Sequence, residues 1–159
     1  MQDSDNKYLL FYTGETKYAI NFNDVRLIIA AEPTQPLPDF PDYAEGTLVN
    51  GNKTYTIIDL RKRFACEEKG RSEHECIMLC DSEKKLGLHC DSISGFVEKL
   101  PEEIQPPPDI NEQVNARFIS GSFLHDGKTV CIITPELVIR PDDEEKFGEQ
   151  SREEQADSE

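Results

Sequence analysis

The chain lacks most of the features that announce chemistry. It has no GxxxxGK[ST] loop to cradle phosphates, no GxGxxG turn and no HExxH helix. No apolar run approaches the ~20 residues that cross a bilayer. The N-terminus, MQDSDNKYLL, is polar and acidic where a secretory leader is basic and then apolar, so a soluble, cytoplasmic protein is the expectation. Positive charge is scarce: 17 Lys and Arg stand against 32 Asp and Glu, a net charge of −15. That surplus repels phosphate backbones and anionic lipid, which argues against nucleic-acid binding and direct membrane insertion.

Cysteine pairs are missing too. The five cysteines, Cys66, Cys76, Cys80, Cys90 and Cys131, are odd in number and contain no CxxC, against a disulfide framework. His74, Cys76, Cys80, His89 and Cys90 lie close enough in sequence to raise a metal site. However, Cys76, Met78 and Cys80 share one face of a strand by alternation, which reads more simply as small thiols in a core. No metal or cofactor ligand set is assigned. His89 and Cys90 are adjacent, and neighbouring strand residues point to opposite faces, so they form no catalytic dyad. No catalytic residue is assigned, and a binding module is what remains.

What is present is a series of short strands. KYLLFYT (7–13) and KYAINFN (17–23) flank a turn at Gly14, with Tyr18, Ile20 and Phe22 alternating. Asn23 or Asp24 then caps a brief turn carrying Val25, Leu27, Ile28 and Ile29. The stretch EPTQPLPDFPDY cannot enter a sheet interior; it is expected to be an ordered loop packing Leu37, Phe40 and Tyr43. Residues 46–60 predict a hairpin about Asn50-Gly51, and DLRKRF one helical turn capped by Asp59. CEEKGRSEH reads as a mobile connection and PEEIQPPPDINEQ as loop. Further hairpins are expected about Ser82–Lys85 and about His125-Asp126-Gly127, and PELVI is a short helix with Pro135 in its first turn. No internal repeat stands out. So many short strands without a long amphipathic helix imply an all-β protein of antiparallel barrels.

Residues 142–159 carry nine acidic side chains against Lys146 and Arg152. With Phe147 as its one aromatic, this segment is expected to be a solvated, disordered and dispensable tail over 141–159.

In this order the elements resemble the CheW family of chemotaxis adaptors. The likeness covers residues 7–140: YAINFNDVRLI, the proline loop with LPDFPDYAEG, TIIDLRKRF, LGLHCDSISGFVEKLPEEIQPPP and RFISGSFLHDGKTVCIITPELVI. It implies two small five-stranded barrels packed together, with apolar residues filling both barrels and the seam. It implies a non-catalytic adaptor that joins the regulatory domain of the histidine kinase CheA to the helical cytoplasmic tip of methyl-accepting chemoreceptors. Gly46, Asp59, Arg61, Gly87, Asp91 and Gly121 fall at structural turn and motif positions.

Matching the family's receptor groove, Val-x-Glu-Ile, selects Val25, Leu27 and Ile28; Leu27 replaces the glutamate. Val25 and Ile28, spaced i, i+3, either share a face under a docked helix or fill the seam. An ungapped match puts the family's Asn-Leu-Arg-Gly turn on Val49, Asn50, Gly51 and Asn52, with Gly51 where the arginine stands; a one-residue slip aligns the glycines instead and puts Asn50 there, and either way the turn loses its guanidinium. Asn52 is expected to take the left-handed conformation in place of glycine, and Gly51→Arg to restore receptor affinity. The alternative is a thiol- or metal-responsive regulatory module on the same fold.

Overall fold

The computed structural model describes residues 6–147 except 65, 67–72, 82–83 and 108–117. Ten strands run β1 (Lys7–Thr13), β2 (Thr16–Asn21), β3 (Leu27–Ala30), β4 (Ala44–Asn50), β5 (Lys53–Asp59), β6 (Cys76–Asp81), β7 (Lys85–Cys90), β8 (Ser92–Glu98), β9 (Ile119–His125) and β10 (Lys128–Ile133). Helix α1 (Leu60–Arg63) follows β5, and α2 (Pro135–Val138) follows β10. Asp59 accepts from the Arg61 amide at 3.1 Å to cap α1, and Pro135 opens α2, both as the sequence predicts.

The strands form two five-stranded sheets, ordered β8-β1-β2-β10-β9 and β3-β6-β7-β5-β4. The protein is mostly β, as expected. The pairing is not wholly antiparallel: β2 and β10, and β5 and β7, run parallel. In the second sheet the hairpin β6–β7 returns beside β5 after α1, which sets that direction. A bridge between Gln35 and Thr47 ties the segment after β3 to β4, and one between Gln105 and Ser122 ties the segment after β8 to β9. Each sheet is thereby drawn towards closure, removing much of its free edge.

Strand by strand, the two sheets have one topology. The series β3, β4, β5, α1, β6, β7 corresponds to β8, β9, β10, α2, β1, β2. Residues 43–60 and 118–135 align without a gap, matching Gly46 with Gly121, Lys53 with Lys128, Thr54 with Thr129, and Ile57-Ile58 with Ile132-Ile133. Even the bulges correspond: Glu45 and Ser120 are the extra residues where β4 and β9 slip register. This repeat corrects the reading that none exists.

Apolar burial divides into three clusters. Leu48, Tyr55, Ile57, Ile77 and Leu79 fill the second sub-barrel, and Leu10, Ala19, Phe123, Val130 and Ile132 the first. Between them a larger cluster, including Leu9, Phe11, Ile20, Tyr43, Ile58, Met78, Leu88, Phe118 and Ile133, forms the seam. Alternation explains the division, because odd and even positions of β1 and β6 face different clusters. Across the seam, Asp91 accepts from Arg61 Nε at 2.7 Å and from the Gly14 amide at 2.5 Å, joining α1 to the β1–β2 turn. Arg61 and Asp91 are nearly buried.

The start of the acidic segment differs from its expected disorder. A 3-10 turn at Pro141–Asp143 leads into helical residues 144–147. Phe147 is 2% exposed, with its ring 5.2 Å from that of Phe40 and 6.3 Å from that of Tyr43. Asp143 accepts from the Tyr43 hydroxyl at 2.6 Å, and Lys146 donates to the Asp39 carbonyl. One aromatic with a prepared slot and two polar ties outweigh the charge pattern. The remainder, 148–159, and most of CEEKGRSEH lie outside the described residues.

Candidate functional site

The residues expected to form a groove occupy one end of the second sub-barrel. The chain crosses from β2 through a 3-10 turn at Phe22–Asp24, which Asn21 caps by accepting from the Asn23 amide at 2.9 Å. Asn23 and Asp24 therefore lie inside the turn, correcting the expected caps. Val25, Leu27, Ile28 and Ile29 do not form a turn either: Leu27–Ala30 is the edge strand β3, paired antiparallel with β6. Four nearly consecutive apolar residues satisfy either pattern, and the open edge of β6 decides between them.

Val25 is half-buried and packs against the seam cluster. Ile28 lies opposite Met78, a seam residue, so it occupies that same face and remains 37% exposed. Leu27 lies opposite Leu79 on the other face and is 40% exposed. Val25 and Ile28 thus share a side, as their spacing suggests. A bend at Arg26, not a helical turn, brings this about.

At the β4–β5 hairpin, Asn50 pairs with Lys53 around the two-residue turn Gly51-Asn52. Gly51 has φ +67°, while Asn52 has no positive φ; this is the turn geometry with glycine first. The expected left-handed Asn52 is therefore corrected: the left-handed residue is Gly51. A Cβ there meets no atom within 4 Å, but that φ costs an L-residue about 1–2 kcal/mol. Gly51→Arg is consequently a strained substitution and not a simple restoration. Val49, next to the turn, is 66% exposed.

A polar network that the sequence did not suggest joins the two stretches. Arg26 donates from Nη2 to Asn50 Oδ1 at 2.9 Å and from Nε to the Tyr55 hydroxyl at 2.8 Å. That hydroxyl donates to Asp81 Oδ1 at 2.5 Å, and Lys53 donates to the other oxygen of Asp81. Burial opposes ionisation of Asp81, but Lys53, Tyr55 and Arg26 outweigh it and hold its carboxyl below the usual range. Burial, and then the bond to Asp81, raise the Tyr55 phenol. Arg26, in the bend that precedes β3, thus places a guanidinium at the flank of that turn. The signal available in sequence was Arg26 itself, set between two apolar groove positions.

The motif residues are structural in their contacts. A Cβ at Gly46 would stand 2.4 Å from the Gln35 carbonyl oxygen, and one at Gly87 2.5 Å from Ile57 Cδ1. Gly121, the counterpart of Gly46, approaches the Gln105 carbonyl less closely, at 3.2 Å. Asp59, Arg61 and Asp91 cap α1 and clamp the seam, as described above. Among the described residues no group of three or more His, Cys, Asp or Glu is placed to hold a metal, and no helix is long and apolar enough to cross a membrane.

The family model for the CheW-like domain matches residues 7–142, and the chain belongs to that family. It is 25% identical over 140 residues to a probable chemotaxis protein CheW of Rhizobium etli, covering 87% of this chain and 90% of the relative. It is 27% identical over 126 residues to the chemotaxis protein CheW of Treponema pallidum, covering 76% and 74%. Among solved structures it superposes on the scaffolding protein TtCheW of Thermoanaerobacter tengcongensis with a TM-score of 0.75 and 26% identity, over 82% of this chain and 89% of that one.

Proposed function

We propose that the protein is a non-catalytic chemotaxis adaptor of the cytoplasm. It couples the cytoplasmic tip of a methyl-accepting receptor to the regulatory domain of the histidine kinase CheA. Family membership across 7–142 supports the class. The observation that carries the receptor surface is the pair of exposed apolar side chains, Ile28 and Val49, on either side of the Arg26–Asn50 tie. Exposed apolar groups beside fixed polar ones suit the apolar stripe of a docked helix.

The test titrates separate receptor and kinase fragments against Ile28→Asp and Val49→Asp. These positions are exposed, so the variants stay folded more readily than Val25→Asp, whose side chain packs on the seam. Receptor affinity is expected to fall about tenfold or more in each, with kinase affinity kept. Unchanged receptor binding by both folded variants overturns the surface assignment, and failure of the unsubstituted protein to bind either fragment overturns the adaptor reading.

A further inference from the structure

Two thiols stand opposite each other in the second sheet, apart from the surface above. Cys76 begins β6 and Cys90 ends β7, in the antiparallel register Cys76 to Cys90. Directly opposed residues of such a pair have Cα atoms about 4.5–5.5 Å apart, within the roughly 4.4–6.8 Å that a disulfide spans. On the far side of Cys76, β3 presents only Ala30.

The two sulfurs sit in different environments. Cys90 is 1% exposed, whereas Cys76 is half-buried and open to a small reagent. A hydrogen bond from the Cys90 thiol stabilises the Cys76 thiolate. The Ile93 amide and the nearby His89 add to this against the opposing effects of burial and Glu75, and the Cys76 thiol comes down to about 7. His89 faces two carboxylates, with Nδ1 2.6 Å from Glu45 Oε1 and Nε2 2.9 Å from Glu75 Oε1. The same sulfur–sulfur contact, and then burial, push Cys90 up. One thiol is therefore suited to attack and its neighbour to wait, protonated, as the resolving partner. By contrast, burial raises Cys66, Cys80 and Cys131.

We propose that Cys76 and Cys90 are a peroxide-oxidisable dithiol. The Cys76 thiolate attacks one oxygen of a hydroperoxide and breaks the O–O bond. Cys76 becomes a sulfenic acid and a hydroxide leaves. The Cys90 sulfur then attacks Cys76 Sγ, water departs with the proton of Cys90, and the Cys76–Cys90 disulfide closes. The two thiols lose two electrons and the peroxide gains them; a small-molecule thiol reverses the bond by exchange. The site lies where β6 meets the first residues of β8, so the bond changes the acceptor that Cys76 offers to the Ile93 amide at the seam.

The test treats the reduced full chain with hydrogen peroxide, counts free thiols and maps peptides without reduction. The expected result is a fall from five free thiols to three, with a Cys76–Cys90 linked peptide and no covalent dimer. Cys76→Ser should lose thiols about tenfold more slowly, and Cys90→Ala should accumulate a dimedone-trappable sulfenic acid at Cys76. Thermal melts of the reduced variants check that each is folded. If Cys90→Ala unfolds, wild type with a dimedone pulse supplies the same readout. Five thiols retained at millimolar peroxide, a bridge mapped to other cysteines, or unchanged oxidation of folded Cys76→Ser overturns the proposal. None of these readouts depends on receptor or kinase binding.

Discussion

The two sub-barrels share a backbone plan and differ in what they do with it. Tyr43 and Phe118 occupy matched positions in the seam, and Leu48, Tyr55 and Ile57 fill one barrel as Phe123, Val130 and Ile132 fill the other. Yet Tyr55 carries its hydroxyl into the Arg26–Asp81 network, where Val130 has nothing to offer. The matched turns differ as well: Gly51 alone has positive φ in one, while Asp126 and Gly127 both do in the other. The two short helices meet between the halves, where Arg63 Nε donates to the carbonyl of Val138, its own counterpart 75 residues away. The Arg63 guanidinium also lies over both Tyr43 and Phe118, 5.7 and 5.1 Å from their centroids. The glycine and bulge positions that set the path of the backbone are kept, while interior side chains such as Tyr55 and Val130 diverge.

The largest way to break this relation is to cut the clamp that both halves use. Arg61→Ala or Asp91→Ala leaves a nearly buried charge without its partner and should cost about 3–5 kcal/mol in denaturant unfolding; a loss below about 1 kcal/mol would show that the seam does not need it. Phe147→Ala should cost about 3 kcal/mol, because the ring fills a slot over Tyr43. A melt unchanged by this substitution, or by truncation at 142, would restore the view of a dispensable tail.

The matched glycines give a sharper contrast. Gly46→Ala, with a Cβ 2.4 Å from a carbonyl oxygen, should destabilise by about 3 kcal/mol, and Gly121→Ala, at 3.2 Å, by about 1 kcal/mol. Equal losses would mean that the two bulges are not tuned differently. Tyr55→Phe should cost about 1–1.5 kcal/mol in the half that has the network. The carboxyl of Asp81 is held below its unfolded value, so the network's contribution is complete at neutral pH and disappears only as pH falls through that depressed value. Unfolding midpoints of wild type and Tyr55→Phe should therefore converge in acid; parallel curves would exclude Asp81 as the titrating member. Smallest is the cap: Asp59→Ala should cost about 1 kcal/mol, and Thr134→Ala, whose hydroxyl bonds Ser120 and makes no cap, a few tenths.

The sequence made much of this legible where one local rule acts alone. Asp59 before LRKR and the Asp126-Gly127 turn specify their structures within a few residues. The seam alternation of Cys76, Met78 and Cys80 was equally plain. Legibility failed where the deciding partner is distant. Whether residues 25–29 are turn or strand depends on an open edge supplied by β6, fifty residues on. Arg26 reads as a solvated charge until Asn50, Tyr55 and Asp81 converge on it. Phe147 is a stray aromatic in an acidic run until Phe40 and Tyr43 form its slot. The repeat is faint in the sequence because its identities are scattered over eighteen positions and one copy is split, with β1–β2 at the opposite end of the chain.

That split governs the order in which the molecule can be assembled. The second sub-barrel is contiguous, residues 27–90, and every one of its strand pairings is available once that stretch has left the ribosome. The first is not: β1 must wait for β8, and β2 for β10, so that Ala19 meets Ile132 only after more than a hundred further residues have been made. During synthesis the earliest hairpin is an orphan with two bare edges beside a barrel already able to close. Pairings so far apart in sequence are slow to form, and exposed edges in the interval invite misassembly. The half built first in sequence is thus the half completed last in time.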